Sequence, residues 1–282
     1  MEAELFKELT ENDRKSVCEL VTECNNADHT NYDPELDGDF YYIIRNDDNE
    51  ESGLDADLFA VLSGYLLGET MDGEQVIEVE AFTHPAMRCI GFFTTCYNSL
   101  RDDFRGYRIK FMIKAPLAGH DDTAHTHISF SESNDSTVDF SKEDGITYSG
   151  GEGILHSAVP FISPDTFETL HSIGAAHLYD ELFMKKTLKS PIKDPGDNLS
   201  NQYGEVHLTA YGDDTLYLYG LLVYDKFLGQ GHGRALMEAV EHYENGNYKN
   251  ILLQVSSTNT IALNLYHSMG YEETERIIYF TV

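Results

Sequence analysis

Apolar and polar positions along the chain switch between two periods, and the switches mark its elements. From Glu11 to about Asn25 the apolar residues Val17, Leu20, Val21 and Cys24 share one helical face behind Thr10, a residue suited to capping, which predicts an amphipathic helix. Bulky strand-like runs follow at Phe40 to Arg45, Leu58 to Leu67 and Val76 to Phe82, the last two joined by a polar hairpin at Met71-Asp-Gly-Glu. A loop beginning at Thr83 leads into a helix ending near Phe104, and then into a strand from Ile109 to Ile113. Residues 116–153 lose this periodicity and are rich in Asp, Ser, Gly, Thr and His, with 149–153 the most linker-like piece. A domain boundary is expected there, giving domains 1–150 and 151–282.

The second half repeats the order. It reads as a strand from Ile154 to Ile162, a short helix opened by Ser163 and Pro164, and a second helix over roughly Ala176 to Leu188. Strands are predicted at Val206 to Tyr211 and Thr215 to Val223, joined by a turn at Gly212. A helix from Arg234 to Glu244 carries Leu236, Met237, Val240 and Tyr243 at helical spacing and stops at Asn245 and Gly246, residues suited to a helix end. Strand Ile251 to Val255, helix Thr260 to Ser268 and strand Arg276 to Thr281 complete an α/β chain of two similar halves.

Composition narrows the possible partners. The 282 residues are 41% apolar and 12% aromatic, enough for packed cores. A formal charge of −30 leaves no basic surplus to neutralise phosphates, which argues against nucleic acid and in favour of cationic partners. Acidity is also a general solubility device. No stretch approaches the roughly eighteen apolar residues of a membrane span, and the Met1-Glu-Ala-Glu start has no signal-peptide pattern, so a cytoplasmic chain without a membrane partner is expected. Cys18, Cys24, Cys89 and Cys96 lack metal or disulfide spacing and read as reduced, mostly buried thiols. His120, His125 and His127 alternate in a polar loop without paired cysteines and read as solvated, so no metal is expected.

Candidate chemistry concentrates after Val223. Gly229, Gly231 and Gly233 link a strand to a helix and leave bare backbone N–H groups at the helix N-terminus, a ready anion site. No Gly-Lys-Ser/Thr closes the loop, and it comes too late in its domain for a dinucleotide fold. Downstream lie Asn259, Ala262, Leu265, Tyr266, Gly270 and Tyr271 in the order NxxAxxLYxxxGY. Together the two stretches resemble the GNAT superfamily of N-acetyltransferases.

That resemblance implies two tandem GNAT-like domains, each a mixed, mostly antiparallel central sheet flanked by helices. It implies acetyl-CoA as cosubstrate, in an opening between strand 215–223 and strand 251–255. The pyrophosphate would meet amides of Gly229, Gln230, Gly231, His232, Gly233, Arg234 and Ala235, and the pantetheine would meet backbone groups of Leu222 and Val223, with Asn259 close by. The side chains of Lys226, His232 and Arg234 are expected to be peripheral, Arg234 being the best exception. Tyr266 would be the general acid that protonates the departing CoA thiolate. The acceptor would be the primary amine of a small, cationic molecule, and transfer would be direct, in a ternary complex. A CoA-binding module without catalysis and a transferase for another acyl group are the alternatives.

Two positions depart from the family pattern. Leu228 stands where an Arg or Gln usually opens the loop, and strand 215–223 carries no carboxylate for a general base. Glu205, His207, or water relayed past Tyr217 and Tyr219 are the candidates for that role. In the front half, Arg88 and Gly91 keep the RxxG relation, but Phe93 replaces a small residue and no NxxAxxLY follows. The front domain is therefore expected to be a degenerate copy in a tandem arrangement like that of mycothiol synthase. Oligomeric state is not set by the sequence.

Overall fold

The computed structural model describes residues 2–34, 36–46, 56–115, 164–243 and 245–282. The expected boundary near 150, the strand at 154–162 and the loop histidines 120, 125 and 127 lie outside the described residues. By internal contacts the chain forms two compact units, Met1–Leu178 with Ile278–Val282, and Tyr179–Ile277.

The first unit contains β1 (Glu4–Phe6), α1 (Glu11–Asp28), β2 (Phe40–Arg45), β3 (Leu58–Glu69), β4 (Gln75–Thr83), a 3-10 turn (Pro85–Met87), α2 (Phe92–Asp103), β5 (Arg108–Lys114) and α3 (Pro164–Ser172). Thr10 and Asp13 form a reciprocal capping box at the start of α1, which satisfies backbone N–H groups the helix itself cannot. The strands run in the order β1-β2-β3-β4-β5, with β4 and β5 parallel and the pairs β1/β2, β2/β3 and β3/β4 antiparallel. Beside β5, Ile109 and Val282 exchange backbone hydrogen bonds of 3.3 and 3.0 Å.

Strand β2 shows why this sheet is covered on both faces. Its alternate residues Tyr41 and Ile43 pack in one cluster with Val17, Leu20 and Val21 of α1. Phe40, Tyr42 and Ile44 pack in another with Cys96, Tyr97 and Leu100 of α2. A strand buried on both faces reads as a continuous apolar run rather than an alternation, as Phe40 to Ile44 does.

The second unit holds most of β6 (Ala176–Ile192), then β7 (Asn198–Asn201), β8 (Gly204–Tyr211), β9 (Thr215–Val223), a 3-10 turn (Asp225–Phe227), α4 (His232–Glu241), β10 (Tyr248–Ser256), α5 (Thr260–Ser268) and most of β11 (Glu272–Thr281). Its strand order is β11-β6-β10-β9-β8-β7, with β9 and β10 parallel. Met237 and Val240 of α4 and Tyr266 of α5 pack in one cluster with Leu216, Leu218, Ile251 and Leu253 of the central strands.

The helix expected over Ala176 to Leu188 is instead the long strand β6. Its buried residues Asp180, Leu182 and Met184 alternate, and it pairs antiparallel with β10 from Glu181↔Ser256 to Thr187↔Asn250. Leu178 and Leu182 also fit a helical period, and Glu181, Met184, Lys185 and Lys186 are good helix formers; pairing within the sheet overrides that local preference. The helix expected at Arg234 begins at His232 and ends at Glu241, and the short strands β1 and β7 had no sequence signal of their own. Each unit is a mixed, mostly antiparallel sheet with flanking helices, in keeping with the expected α/β class.

Candidate functional site

In the second unit the parallel pair β9/β10 is zipped over only four residue pairs, Thr215↔Asn250 to Leu218↔Leu253. Beyond Leu218 the strands part, and β9 turns from buried to exposed at the same point: Leu218 is 2% exposed, Tyr219 45% and Leu222 48%. A bulge accompanies the parting. Pairing with β8 jumps between His207↔Tyr219 and Glu205↔Leu222, and Gly220 adopts φ +60. A Cβ at Gly220 would also come within 3.0 Å of the His207 ring, so glycine is required here for conformation and for space. A glycine interrupting a strand pattern was the available sequence signal for this bulge, and the sequence reading did not use it.

Leu222 was expected to offer backbone groups to the opening. Its carbonyl oxygen instead lies against Gly204 of β8, where an added Cβ would sit only 2.1 Å away. The Tyr224 N–H likewise donates toward β8, to the Tyr203 carbonyl at 2.9 Å. Backbone groups alternate sides along a strand, so those of Leu221 and Val223 face the β10 edge, where pairing has ended. Leu221, rather than Leu222, joins Val223 on the open side.

After the 3-10 turn, Gly229 (φ +71) and Gly231 (φ +83) take left-handed conformations, and Gly231 is the N-cap of α4 without any side-chain cap. The first-turn amides of His232, Gly233 and Arg234 have no acceptor within the helix, whereas Ala235 closes the first turn onto the Gly231 carbonyl at 3.1 Å. Gly233 packs closely: a Cβ there would stand 3.4 Å from Leu265 and 3.6 Å from Val223. Leu228 is 59% exposed.

Side chains of this loop brace it. His232 stacks on Tyr203 with ring centroids 3.9 Å apart, and Phe227 meets both rings edge-on. Gln230 Nε2 donates to the Lys226 carbonyl at 3.1 Å, and Arg234 donates to Ser268 Oγ at 2.5 Å. The sequence reading did not single out Tyr203, whose ring sits in the turn between β7 and β8.

Asn259 is the N-cap of α5, its Oδ1 accepting from the Ala262 N–H at 3.1 Å. Seven residues on, Tyr266 is 6% exposed and packs 5.8 Å from the Tyr271 ring; burial raises its phenol pKa and keeps it protonated at neutral pH. At the bulge His207 stacks on Tyr219 at 5.4 Å, and its Nε2 lies 3.9 Å from Glu205 Oε1. Tyr217 donates to Gln254 Oε1 at 3.0 Å across the β9/β10 seam. Tyr217 and Tyr219 stack at 6.2 Å, so the titratable candidates Glu205 and His207 adjoin a row of rings.

The first unit has a counterpart. Pairs β4 and β5 are zipped from Val76↔Arg108 to Val79↔Phe111, and Gly91 (φ +101) is the uncapped N-cap of α2. Arg88, however, is held by both carboxylate oxygens of Asp28 at 2.6 and 2.7 Å, and Phe93 stacks on Tyr97 at 5.8 Å. All four cysteines are free thiols, Cys24 and Cys96 buried and Cys89 exposed. Among the described residues there is no group of three or more side chains placed to hold a metal, and no helix long and apolar enough to cross a membrane.

Residues 196–273 match the family model described as the acetyltransferase (GNAT) domain. The search of curated proteins gave no match. Among solved structures the chain is similar in fold to a GCN5-related N-acetyltransferase from Sphaerobacter thermophilus, with TM-score 0.59 and 12% identity over 99% of this chain and 95% of that one. It is similar to a tandem GNAT protein from the clavulanic acid biosynthesis pathway, with TM-score 0.55 and 10% identity over 100% and 98% of the two chains. A third similarity, with TM-score 0.59 and 8% identity, covers this whole chain and 38% of a fungal multi-domain GH3 beta-N-acetylglucosaminidase with a GCN5-related glucosamine N-acetyltransferase region. The chain thus has the fold of tandem GNAT proteins, and its residues 196–273 are the part that matches the GNAT domain itself.

Proposed function

We propose that the second unit is an acetyl-CoA-dependent N-acetyltransferase that acts on the primary amine of a small cationic molecule, by direct transfer in a ternary complex. The observation that carries this reading is the coincidence of two features: β9 and β10 part after Leu218↔Leu253, and the loop following β9 ends in the uncapped, left-handed Gly231 at the start of α4. An opened strand edge offers backbone groups to an extended amide chain, and a bare helix N-terminus suits a pyrophosphate. The residues present therefore fit CoA.

Bound there, acetyl-CoA would supply an activated acetyl thioester. The amides of His232, Gly233 and Arg234 would hold the pyrophosphate, and the open-edge backbone groups of Leu221 and Val223 would meet the pantetheine. Asn259, already engaged as the cap of α5, sets where that helix begins and so where Tyr266 stands. Tyr266 carries a proton at neutral pH and would donate it to the leaving thiolate. Glu205 and His207 are the titratable pair at the bulge suited to accept the proton of the attacking ammonium. The exposed Leu228 removes a side-chain contact to phosphate but none of the amides.

Thiol release from acetyl-CoA in the presence of a panel of primary amines tests this reading. Release that depends on the amine is expected. Tight CoA binding without turnover on any amine would overturn the enzymatic reading in favour of a CoA-binding module, and turnover confined to longer acyl-CoAs would replace the acetyl group.

A further inference from the structure

Helix α4 starts at Gly231 without a side-chain cap. A capping side chain fixes a helix start by accepting from first-turn amides, and here it would consume the N–H of Gly233 or Arg234. The loop before the helix carries two left-handed glycines, Gly229 and Gly231. Glycine takes either sign of φ with little penalty, so the loop backbone alone fixes the direction of those amides weakly. The first turn has to be held from outside the loop if its N–H groups are to stay bare.

The first unit meets the same need by burial. Helix α2 also begins behind an uncapped left-handed glycine, Gly91, but its first residue is Phe92, 4% exposed and 4.9 Å from the Phe59 ring. The first residue of α4 is instead the half-buried His232. Its ring stacks on Tyr203 at 3.9 Å with the planes 12° apart, and Phe227 of the preceding 3-10 turn lies edge-on to both.

The turn that presents Tyr203 is itself fixed. Its N–H donates to Asn201 Oδ1 at 2.8 Å, and its carbonyl accepts from the Tyr224 N–H at 2.9 Å. The β7/β8 turn thus touches the end of β9, the 3-10 turn and the first residue of α4. Elsewhere α4 is held by Gly233 close to Leu265 and Val223 and by Arg234 bonded to Ser268, so the three rings complete the hold on the loop side.

We propose that Tyr203 is a positioning residue for the cofactor: its stack on His232 does the work of a helix cap and leaves the first-turn amides free for a pyrophosphate. The inference rests on the reading of the second unit as a CoA site. It adds to that reading a residue outside the glycine loop on which cofactor affinity depends.

Calorimetric titration of the full chain with CoA tests it. Given the usual strength of an aromatic pair, Tyr203→Ala should weaken CoA binding about fivefold and raise the KM for acetyl-CoA by a similar factor, with kcat nearly unchanged. Tyr203→Phe keeps the ring and should bind CoA as the wild type does. His232→Ala keeps the amide but removes the ring, and should also lose about fivefold. The double variant should lose no more than either single one, because both remove the same stack; independent effects would multiply to about twenty-five-fold. Unchanged affinity in Tyr203→Ala, a multiplied loss in the double variant, no recovery in Tyr203→Phe or a fall in kcat alone would each overturn the proposal. Should Tyr203→Ala fail to fold, His232→Ala against His232→Phe makes the comparison, with loss expected in the first and retention in the second; equal affinities would overturn it. A wild-type chain that does not bind CoA would overturn the CoA reading and this inference together, whereas wild-type binding with an indifferent Tyr203→Ala variant sinks the inference alone.

Discussion

The two units open the same way and fill the opening differently. In each, a parallel strand pair is held by four register pairs and then parts, and a left-handed glycine without a capping side chain starts the next helix: Gly91 before α2, Gly231 before α4. Two positions past that glycine stand Phe93 in one unit and Gly233 in the other. Arg88 is locked to Asp28, whereas its counterpart in the second unit is the exposed Leu228. Strand β4 pairs with β3 in unbroken register from Ile77 to Thr83, whereas β9 is bulged at Gly220. Backbone architecture thus provides an opening in each unit; the residues beside it and the bulge make the two openings chemically different.

The largest effect that would break this comparison is expected at Gly204. Its Cβ would overlap the Leu222 carbonyl, so Gly204→Ala should cost about 3 kcal/mol of stability and distort the bulged hairpin. Chemical denaturation with CoA titration measures both; a neutral substitution would mean that the β8/β9 geometry is not what shapes the opening. Next comes Tyr266→Phe, which should lower kcat about 100-fold with the KM for acetyl-CoA nearly unchanged. An unchanged kcat would remove Tyr266 from the chemistry. Gly231→Val should weaken CoA binding about tenfold or more through strain at φ +83 and obstruction of the anion site, while Gly91→Val should leave CoA affinity untouched. Equal losses in calorimetry would show that the two openings share the cofactor role.

Smaller effects sharpen the contrast. Asp28→Ala should destabilise the first unit by about 1–2 kcal/mol, because Arg88 loses both its bonds to that carboxylate and keeps the one to the Thr83 carbonyl, and thermal unfolding measures it. The smallest effect concerns acid. Burial pushes the Asp13 pKa up, but hydrogen bonds from Thr10 and Arg45 outweigh it, and the folded-state value is lowered. Its contribution is therefore present above the ordinary carboxylate pKa of about 4 and is lost as pH falls through the folded value. Asp13→Asn should flatten the acid limb of the first unit's stability curve, and an identical slope would exclude that role.

The left-handed glycines of the Gly229 to Gly233 loop and the helix that carries Tyr266 were legible because each rests on local chemistry, a backbone turn that glycine permits and an amphipathic period, whereas the capping role of Asn259 was not read from the sequence. Helix α5 runs from Thr260 to Ser268, as read from its periodicity. Strand β6 was misread because its local preferences favour a helix, and only pairing with β10 reveals its alternation. The bulge at Gly220 and the carbonyl contact at Gly204 depend on register between β8 and β9, which a single strand's sequence does not encode.

By itself, then, the sequence determined where α1 and α5 begin and where Gly229 and Gly231 turn the chain, because those properties are set within a few residues. Tertiary structure alone decided that Leu221 rather than Leu222 faces the open edge, that Arg88 is held by Asp28 sixty residues away, and that Glu80 of β4 is buried against Ser63 of β3. Each of these depends on strand register or on the packing of distant segments, and neither is fixed until the chain has folded.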